Sequence, residues 1–161
     1  MKRHESLRPL SQHHHFALIE ALQIRRAKEQ PAAKRSAALR KVAEEFVRFW
    51  KKTGRQHFRE EEEILLPAYA RHAAIGEDRD VMRMLADHAE IRALIGEIEA
   101  ALEEGAPPDE KVVVMGRRLA EHVRLEDDKV FPRIEEALSQ EELCALGQHL
   151  TRLHPKRGCT V

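Results

Sequence analysis

The stretch His57-Phe-Arg-Glu-Glu-Glu-Glu-Ile-Leu-Leu-Pro67 occurs a second time in this chain, as His122-Val-Arg-Leu-Glu-Asp-Asp-Lys-Val-Phe-Pro132. Both copies have an arginine two residues after the histidine, then three acidic residues from the fourth position on, an apolar pair and a proline. In a helix, side chains four residues apart lie on one face, with Cβ atoms about 5–6 Å apart. The repeat therefore predicts two pairs that can each hold a metal ion, His57 with Glu61 and His122 with Glu126.

Composition and charge narrow the class of protein. The 161 residues are 42% hydrophobic and 4% aromatic and are rich in Leu, Ala, Glu and Arg, which favours helices over sheet. Lys+Arg and Asp+Glu each total 28, so the formal net charge of zero predicts no basic face for nucleic acid. Two cysteines are too few for a disulfide scaffold, and no apolar run approaches the roughly 18 residues that a membrane helix needs. We therefore expect a soluble, cytoplasmic protein that binds neither nucleic acid nor membrane.

Apolar residues recur at helical spacing along most of the chain, which predicts four long helices and a short fifth. The long helices are expected at about residues 11–29, 32–66, 79–104 and 109–138, with breaks at Pro31, at Pro67 and at Gly105-Ala-Pro-Pro108. Short connections make consecutive helices antiparallel. The predicted fold class is all-α, an up-down-up-down antiparallel four-helix bundle with a short extra C-terminal helix. The predicted organisation is a flexible N-terminal arm at 1–9, the bundle at 10–138, and the short C-terminal helix and tail at 139–161.

Histidines on the first and third helices extend the repeated pairs into a larger set. His14, or its neighbour His15, lies near the start of the first helix, and His88 lies in the first half of the third. At about 1.5 Å rise per residue, the predicted topology brings these positions to the level of the histidines in the repeat. The candidate metal ligands are therefore His14 or His15, His57, Glu61, His88, His122 and Glu126.

Four histidines and two glutamates exceed what a single tetrahedral zinc ion needs. They fit two metal ions bridged by Glu61 and Glu126, and two cations offset the cost of burying two carboxylates in a bundle. One such histidine alone is more often a hydrogen-bonded core residue, so the prediction rests on the matched set. The other acids of the repeat are expected to face solvent or lie around the ligands: Glu60, Glu62, Glu63, Asp127 and Asp128. The other histidines are expected on the surface: His4, His13, His72, His149 and His154.

The motifs resemble those of the hemerythrin-like (HHE cation-binding) domain family. The matching motifs are Leu10-Ser-Gln-His-His-His-Phe-Ala-Leu18, His57-Phe-Arg-Glu-Glu61, His88-Ala-Glu-Ile-Arg92 and His122-Val-Arg-Leu-Glu126. They follow the family's order over about residues 10–135. The resemblance implies a carboxylate-bridged di-iron centre, with two iron ions held by the candidate ligands. It favours His14 as the first-helix ligand, with His15 nearly as good.

Arg92 departs from the pattern of the family's oxygen carriers, which have a second histidine at that position. Arginine stays protonated and cannot ligate a metal, so one iron should have fewer histidine ligands and more open positions. Arg92 is expected to pair with a ligand carboxylate, to attract an anion or to lie on the surface. The resemblance therefore favours a non-haem di-iron protein that binds or senses oxygen or a related diatomic or peroxide ligand. Two alternatives stay open: a di-iron enzyme that reacts with peroxide or nitric oxide, and a helical interaction module with a structural metal. No catalytic residue and no protein partner is assigned.

Overall fold

The computed structural model describes residues 3–153, with side chains through residue 150. Within this range the chain forms five helices and no strand, so the predicted all-α class is confirmed. The helices are α1 at Arg8–Lys28, α2 at residues 32–69, α3 at Arg79–Glu103, α4 at residues 109–137 and α5 at Gln140–Leu153. Short 3-10 turns at Glu5–Leu7 and Ile75–Glu77 precede α1 and α3. Of these described helices, none combines the length and the apolarity that crossing a membrane requires.

Local signals set where α3 begins and ends. The Asp78 carboxylate accepts hydrogen bonds from the backbone N–H groups of Asp80 and Val81, 3.1 and 3.2 Å away, as an N-cap does. Beyond Glu103 the chain reaches Gly105, whose φ of 73° is the left-handed conformation in which many helices end. Because both signals act locally, the observed helix agrees closely with the predicted one at 79–104.

The four long helices pack around two apolar clusters. Helix α1 packs against α2 and α4, and α3 packs against the same two helices. The first group, which we call the Trp50 cluster, includes the buried residues Ala17, Phe46, Trp50, Phe58, Ile91, Leu119 and Val123. The second, which we call the Leu150 cluster, includes Leu7, Leu10, Leu65, Met84, Val130, Phe131 and Leu150. Along α1 and α3 the chain passes from the Leu150 cluster to the Trp50 cluster, and along α2 and α4 it passes the other way.

Wide π-helical turns interrupt α2 and α4. They lie at Trp50–Gly54, Glu61–Leu65 and Glu126–Val130, and the last two begin at the repeated glutamates. Pro67 and Pro132 follow, and the helix continues through both, although the sequence predicts a break at Pro67. Proline lacks an N–H and clashes with the carbonyl four residues before it. A π turn just before each proline already shifts the backbone hydrogen bonds by one residue, which lets the helix continue.

Residues 3–9 do not form the flexible arm predicted at 1–9. Helix α1 begins at Arg8 rather than at Ser11, and Leu7 and Leu10 are fully buried in the Leu150 cluster. Arg3 donates to the backbone carbonyl of Asp127 at 2.8 Å. The reason is that Pro9 lies in the first helical turn, where a missing N–H costs no hydrogen bond, so the proline starts the helix instead of preceding it.

Helix α5 covers the end of the bundle where the Leu150 cluster lies. Leu143, Leu146 and Leu150 are buried, and α5 packs against the turn at Glu5–Leu7. Gly147 allows this approach, because a Cβ there would lie 2.8 Å from the Cβ of Ser6. The predicted C-terminal helix is thus present as part of the packed structure. The predicted tail, from residue 154 on, lies outside the described residues.

Candidate metal centre

Six of the candidate ligands meet in one buried layer between the two apolar clusters. Each of the six is at most 6% exposed: His14 on α1, His57 and Glu61 on α2, His88 on α3, and His122 and Glu126 on α4. His15 does not join them, since its side chain is exposed. Successive residues of a helix point about 100° apart, so α1 can turn only one of these two neighbours towards the core.

The six side chains form two groups that share both glutamates. One group is His14, His57, Glu61 and Glu126, and the other is Glu61, His88, His122 and Glu126. Within each group the ligand atoms lie within 4.8 Å of one another. This arrangement places a possible position for one cation on each side of the two carboxylates.

Each carboxylate directs its two oxygens to histidines of different groups. In Glu61, Oε1 lies 3.2 Å from Nε2 of His57, and Oε2 lies 3.3 Å from Nε2 of His88. In Glu126, Oε2 lies 3.1 Å from Nε2 of His14, and Oε1 lies 3.0 Å from Nε2 of His122. All eight atoms are buried, and none has a hydrogen-bond partner among the described residues. Leaving so many buried polar atoms unbonded is costly, and two cations bound by nitrogen and carboxylate oxygen would satisfy them, so the residues fit a two-metal site.

The carboxylates raise the pKa of three of the four histidines around them. Burial disfavours charge on His14, His88 and His122, yet the neighbouring carboxylates raise the pKa of His14 well above its ordinary value. In the same way they raise the pKa of His88 to about 11 and that of His122 to about 9. His57 differs, because burial lowers its pKa to about 3 and the Glu61 carboxylate does not offset this.

The two glutamates are held in their ionised form. Burial and the charge of Glu126 oppose ionisation of Glu61, but the surrounding histidines lower its pKa to about 2. The pKa of Glu126 likewise lies well below its ordinary value, because His122 and the other histidines outweigh the effect of burial. Two ionised carboxylates at the centre of the bundle attract cations.

The family model for the Hemerythrin HHE cation binding domain matches residues 7–134. The chain belongs to this family. No curated protein and no solved structure matches it. HHE domains bind metal ions, usually iron, and all six buried side chains lie within the matched residues. The predicted recognition as a hemerythrin-like domain is therefore confirmed, and the coarser statement about function, metal binding, is supported by both the family and the side-chain groups.

In three of the four central histidines of the HHE domain, the second ring nitrogen, Nδ1, faces an acidic side chain. His14 Nδ1 lies 3.0 Å from an oxygen of Asp127, and His88 Nδ1 lies 2.7 Å from one of Glu62. His122 Nδ1 is 3.8 Å from Asp87, an ion-pair distance rather than a hydrogen bond. The two contacts at hydrogen-bond distance, those of His14 and His88, hold the other ring nitrogen towards the two central glutamates. Glu62 and Asp127, the residues that follow Glu61 and Glu126 in sequence, thus contact histidines on other helices.

Arginines pair with these three carboxylates. Arg92 donates to both oxygens of Glu62, at 2.8 and 2.9 Å, so it pairs with a carboxylate that contacts His88 and not with Glu61 or Glu126. Arg3 contacts Asp127 at 3.3 Å, and Arg83 donates to Asp87 at 2.8 Å. The pairing of Arg92 with a ligand carboxylate, one of the roles expected from the sequence, is therefore not formed, because its partner Glu62 is not a candidate ligand.

Three residues near the site escape the reasoning from sequence. Asp87 is buried against His122. Glu60 is only 1% exposed, and the sequence did not decide whether it faces solvent or lies around the ligands. His13, expected on the surface, is half-buried and has its Nδ1 3.3 Å from Nδ1 of His57. The run of three histidines at 13–15 is the one sequence signal that points to His13, but it does not distinguish among the three.

Proposed function

We propose that this HHE domain holds two iron ions. His14 and His57 bind one ion, His88 and His122 bind the other, and Glu61 and Glu126 bridge both. The observation that carries the proposal is the set of eight buried atoms without hydrogen bonds, in which each carboxylate faces one histidine from each group. Imidazole nitrogen with carboxylate oxygen is a donor set that suits iron, and six ligands exceed the four of a closed zinc site.

The order of residues along the helices supports the predicted up-down-up-down topology. Helices α1 and α3 pass from the Leu150 cluster to the Trp50 cluster, while α2 and α4 pass from the Trp50 cluster to the Leu150 cluster. We infer that consecutive helices run antiparallel. In such a bundle one histidine from each helix can reach the same layer, as a two-metal centre requires.

We further propose that the centre binds or senses oxygen or a related small molecule. A cavity of about 20 Å³ borders it, lined by His14, His57 and His122 together with Phe46, Trp50, Phe58 and Leu119. A space of this size accommodates a molecule as small as water or a diatomic gas. The mostly apolar lining favours an uncharged ligand. Each group also offers only four protein ligands, which leaves coordination positions for that molecule. Bound iron supplies the coordination and redox chemistry for oxygen, nitric oxide or peroxide.

Anaerobic loading with ferrous iron tests the proposal. We expect two iron ions per chain by elemental analysis and, after exposure to air, charge-transfer bands in the near ultraviolet. His88→Ala should lower the iron content, and His15→Ala, whose side chain is exposed, should leave it unchanged. Uptake of one iron or none by the wild-type chain would contradict a two-iron centre.

The open coordination positions also favour a second candidate, an enzyme that turns over peroxide or nitric oxide. The two candidates differ in stoichiometry. One molecule of oxygen or nitric oxide bound reversibly per centre supports a binding or sensing protein. Repeated turnover of peroxide or nitric oxide that is lost in His88→Ala supports the enzyme. A loaded protein that is stabilised by metal but reacts with none of these molecules indicates a structural metal.

A further inference from the structure

His57 differs from the other three central histidines in what faces its second ring nitrogen. A carboxylate lies opposite Nδ1 of His14, His88 and His122. Opposite Nδ1 of His57 lies the imidazole of His13, with the two Nδ1 atoms 3.3 Å apart. A carboxylate orients a histidine ligand, whereas an imidazole is itself a ligand for transition metals.

Glu60 completes a group around this outer face of His57. We call His13, His57 and Glu60 the outer triad. Each offers one ligand atom, and these three atoms lie within 4.8 Å of one another. Without an ion the two Nδ1 atoms form a hydrogen bond at 3.3 Å. Two nitrogens bound to one ion at about 2.0–2.1 Å and near the tetrahedral angle are about the same distance apart, so an ion can replace the shared proton with little movement. Glu60 is buried and accepts a hydrogen bond from Gln56, so its carboxylate is held in place.

The outer triad lies between the surface and the two-metal centre. His13 is half-buried, while His57 and Glu60 are buried. The cavity beside the centre is lined by His13 as well as by His14, His57 and His122. The same small space therefore borders ligands of both sites. His57 belongs to both, with Nδ1 towards His13 and Nε2 towards Glu61.

We propose that the outer triad binds a divalent transition-metal ion transiently and passes it to the central position held by His14 and His57. The proposal rests on the proposed two-metal function. A neutral imidazole offers one lone pair, so His57 binds an ion through Nδ1 or through Nε2 but not through both. The two positions are therefore filled in turn. As the ion moves from Nδ1 to Nε2, the ring loses its proton at Nε2 and takes one up at Nδ1, which then donates to Nδ1 of His13. His13 and Glu60 speed metal uptake without being ligands of the filled centre.

The test is the rate of metal uptake by the full chain. Ferrous iron is supplied anaerobically as a complex with a coloured chelator, and its transfer is followed by stopped-flow absorbance. We expect His13→Ala to slow uptake about ten-fold, and Glu60→Gln, which keeps the shape of the side chain, to slow it several-fold. His15→Ala removes an exposed imidazole two positions away and should not change the rate. All variants should finish with two ions per chain, and far-ultraviolet circular dichroism checks that each is folded.

The outcomes separate this proposal from the two-metal function. Uptake by His13→Ala at the rate of His15→Ala would overturn the outer triad and leave the centre intact. A final content of one ion in His13→Ala would also overturn it, because His13 would then be a permanent ligand. Absence of uptake by the wild-type chain would overturn the two-metal function and this proposal with it. Slow uptake in His13→Ala and Glu60→Gln, with full final content, supports the transfer.

Discussion

Replacing Glu62 by alanine probes how far the metal centre depends on side chains that do not touch the metal. Glu62 accepts a hydrogen bond from Nδ1 of His88 at 2.7 Å, and His88 is 0% exposed. In Glu62→Ala the imidazole N–H loses its acceptor, and only stacking on Phe58 and burial then hold the ring with Nε2 towards Glu61 and Glu126. We expect weaker metal binding at the position held by His88 and His122.

The loss of metal affinity in Glu62→Ala follows from the lost hydrogen bond and from the lost carboxylate behind the ligand. A buried N–H that loses its partner costs about 1–3 kcal/mol. Loss of a carboxylate behind a histidine ligand typically costs about 10–100-fold in metal affinity, and each tenfold step equals about 1.4 kcal/mol. The side chain of Glu62 is 28% exposed, so water can enter after the substitution and replace part of the lost hydrogen bond. We therefore expect the lower part of the range, about ten- to thirty-fold.

Glu63→Ala is the matched control, because the two glutamates are neighbours in a run of four. The Glu63 carboxylate pairs with Arg59 in solvent and has no contact with the centre. Its removal should leave metal affinity within about two-fold of wild type, as expected for an exposed ion pair. Competition against a chromophoric chelator measures both affinities. Equal affinity of Glu62→Ala and Glu63→Ala would refute the role given to Glu62.

Three further predictions concern the stability of the bundle. A Cβ at Gly116 would lie 2.8 Å from Cγ2 of Ile24, so Gly116→Ala should destabilise the α1–α4 contact by about 1–3 kcal/mol in urea unfolding. At Gly96 nothing lies within 4 Å, and Gly96→Ala should instead stabilise the protein by up to about 1 kcal/mol. Asp78→Ala removes the N-cap of α3 and should cost about 1–2 kcal/mol at neutral pH. Burial raises the pKa of Asp78, but hydrogen bonds from Arg133 and from the backbone N–H of Val81 lower it below its ordinary value. The stability that the ionised carboxylate contributes is therefore present at neutral pH and lost on acidification. The difference between Asp78→Ala and wild type should shrink below about pH 4, and a constant difference would contradict the argument.

Helix positions were predictable where the signals are local. The prolines and glycines between the long helices mark the connections, and Asp78 with Gly105 marks the span of α3. The break expected at Pro67 was wrong, because the helix continues through it to Tyr69 after the π turn at Glu61–Leu65. The start of α1 at Arg8 has two causes, Pro9 in its first turn and the burial of Leu7. Burial of Leu7 against α5 involves residues at opposite ends of the chain.

For the metal centre, spacing identified the ligands better than it identified their surroundings. The His-x-x-x-Glu pairs follow from helical geometry alone, and the structure brings both pairs together with His14 and His88. Glu60, Glu62 and Glu63 look alike in sequence, yet one lies buried beside His57, one contacts His88 and one faces solvent. Which of them faces inward depends on the rotation of α2 about its axis and on the π turn at Glu61–Leu65.

The sequence by itself determined the helical class and the two His/Glu pairs, because each depends on residues within one or two helical turns. It determined the likeness to the HHE family through the order of four motifs over about residues 10–135. Tertiary structure decided between His14 and His15, assigned Arg92 to Glu62 and placed His13 beside His57. Those contacts join helices that are distant in sequence. They depend on the rotation and depth of each helix, which the packing of the whole bundle sets and which no single stretch encodes.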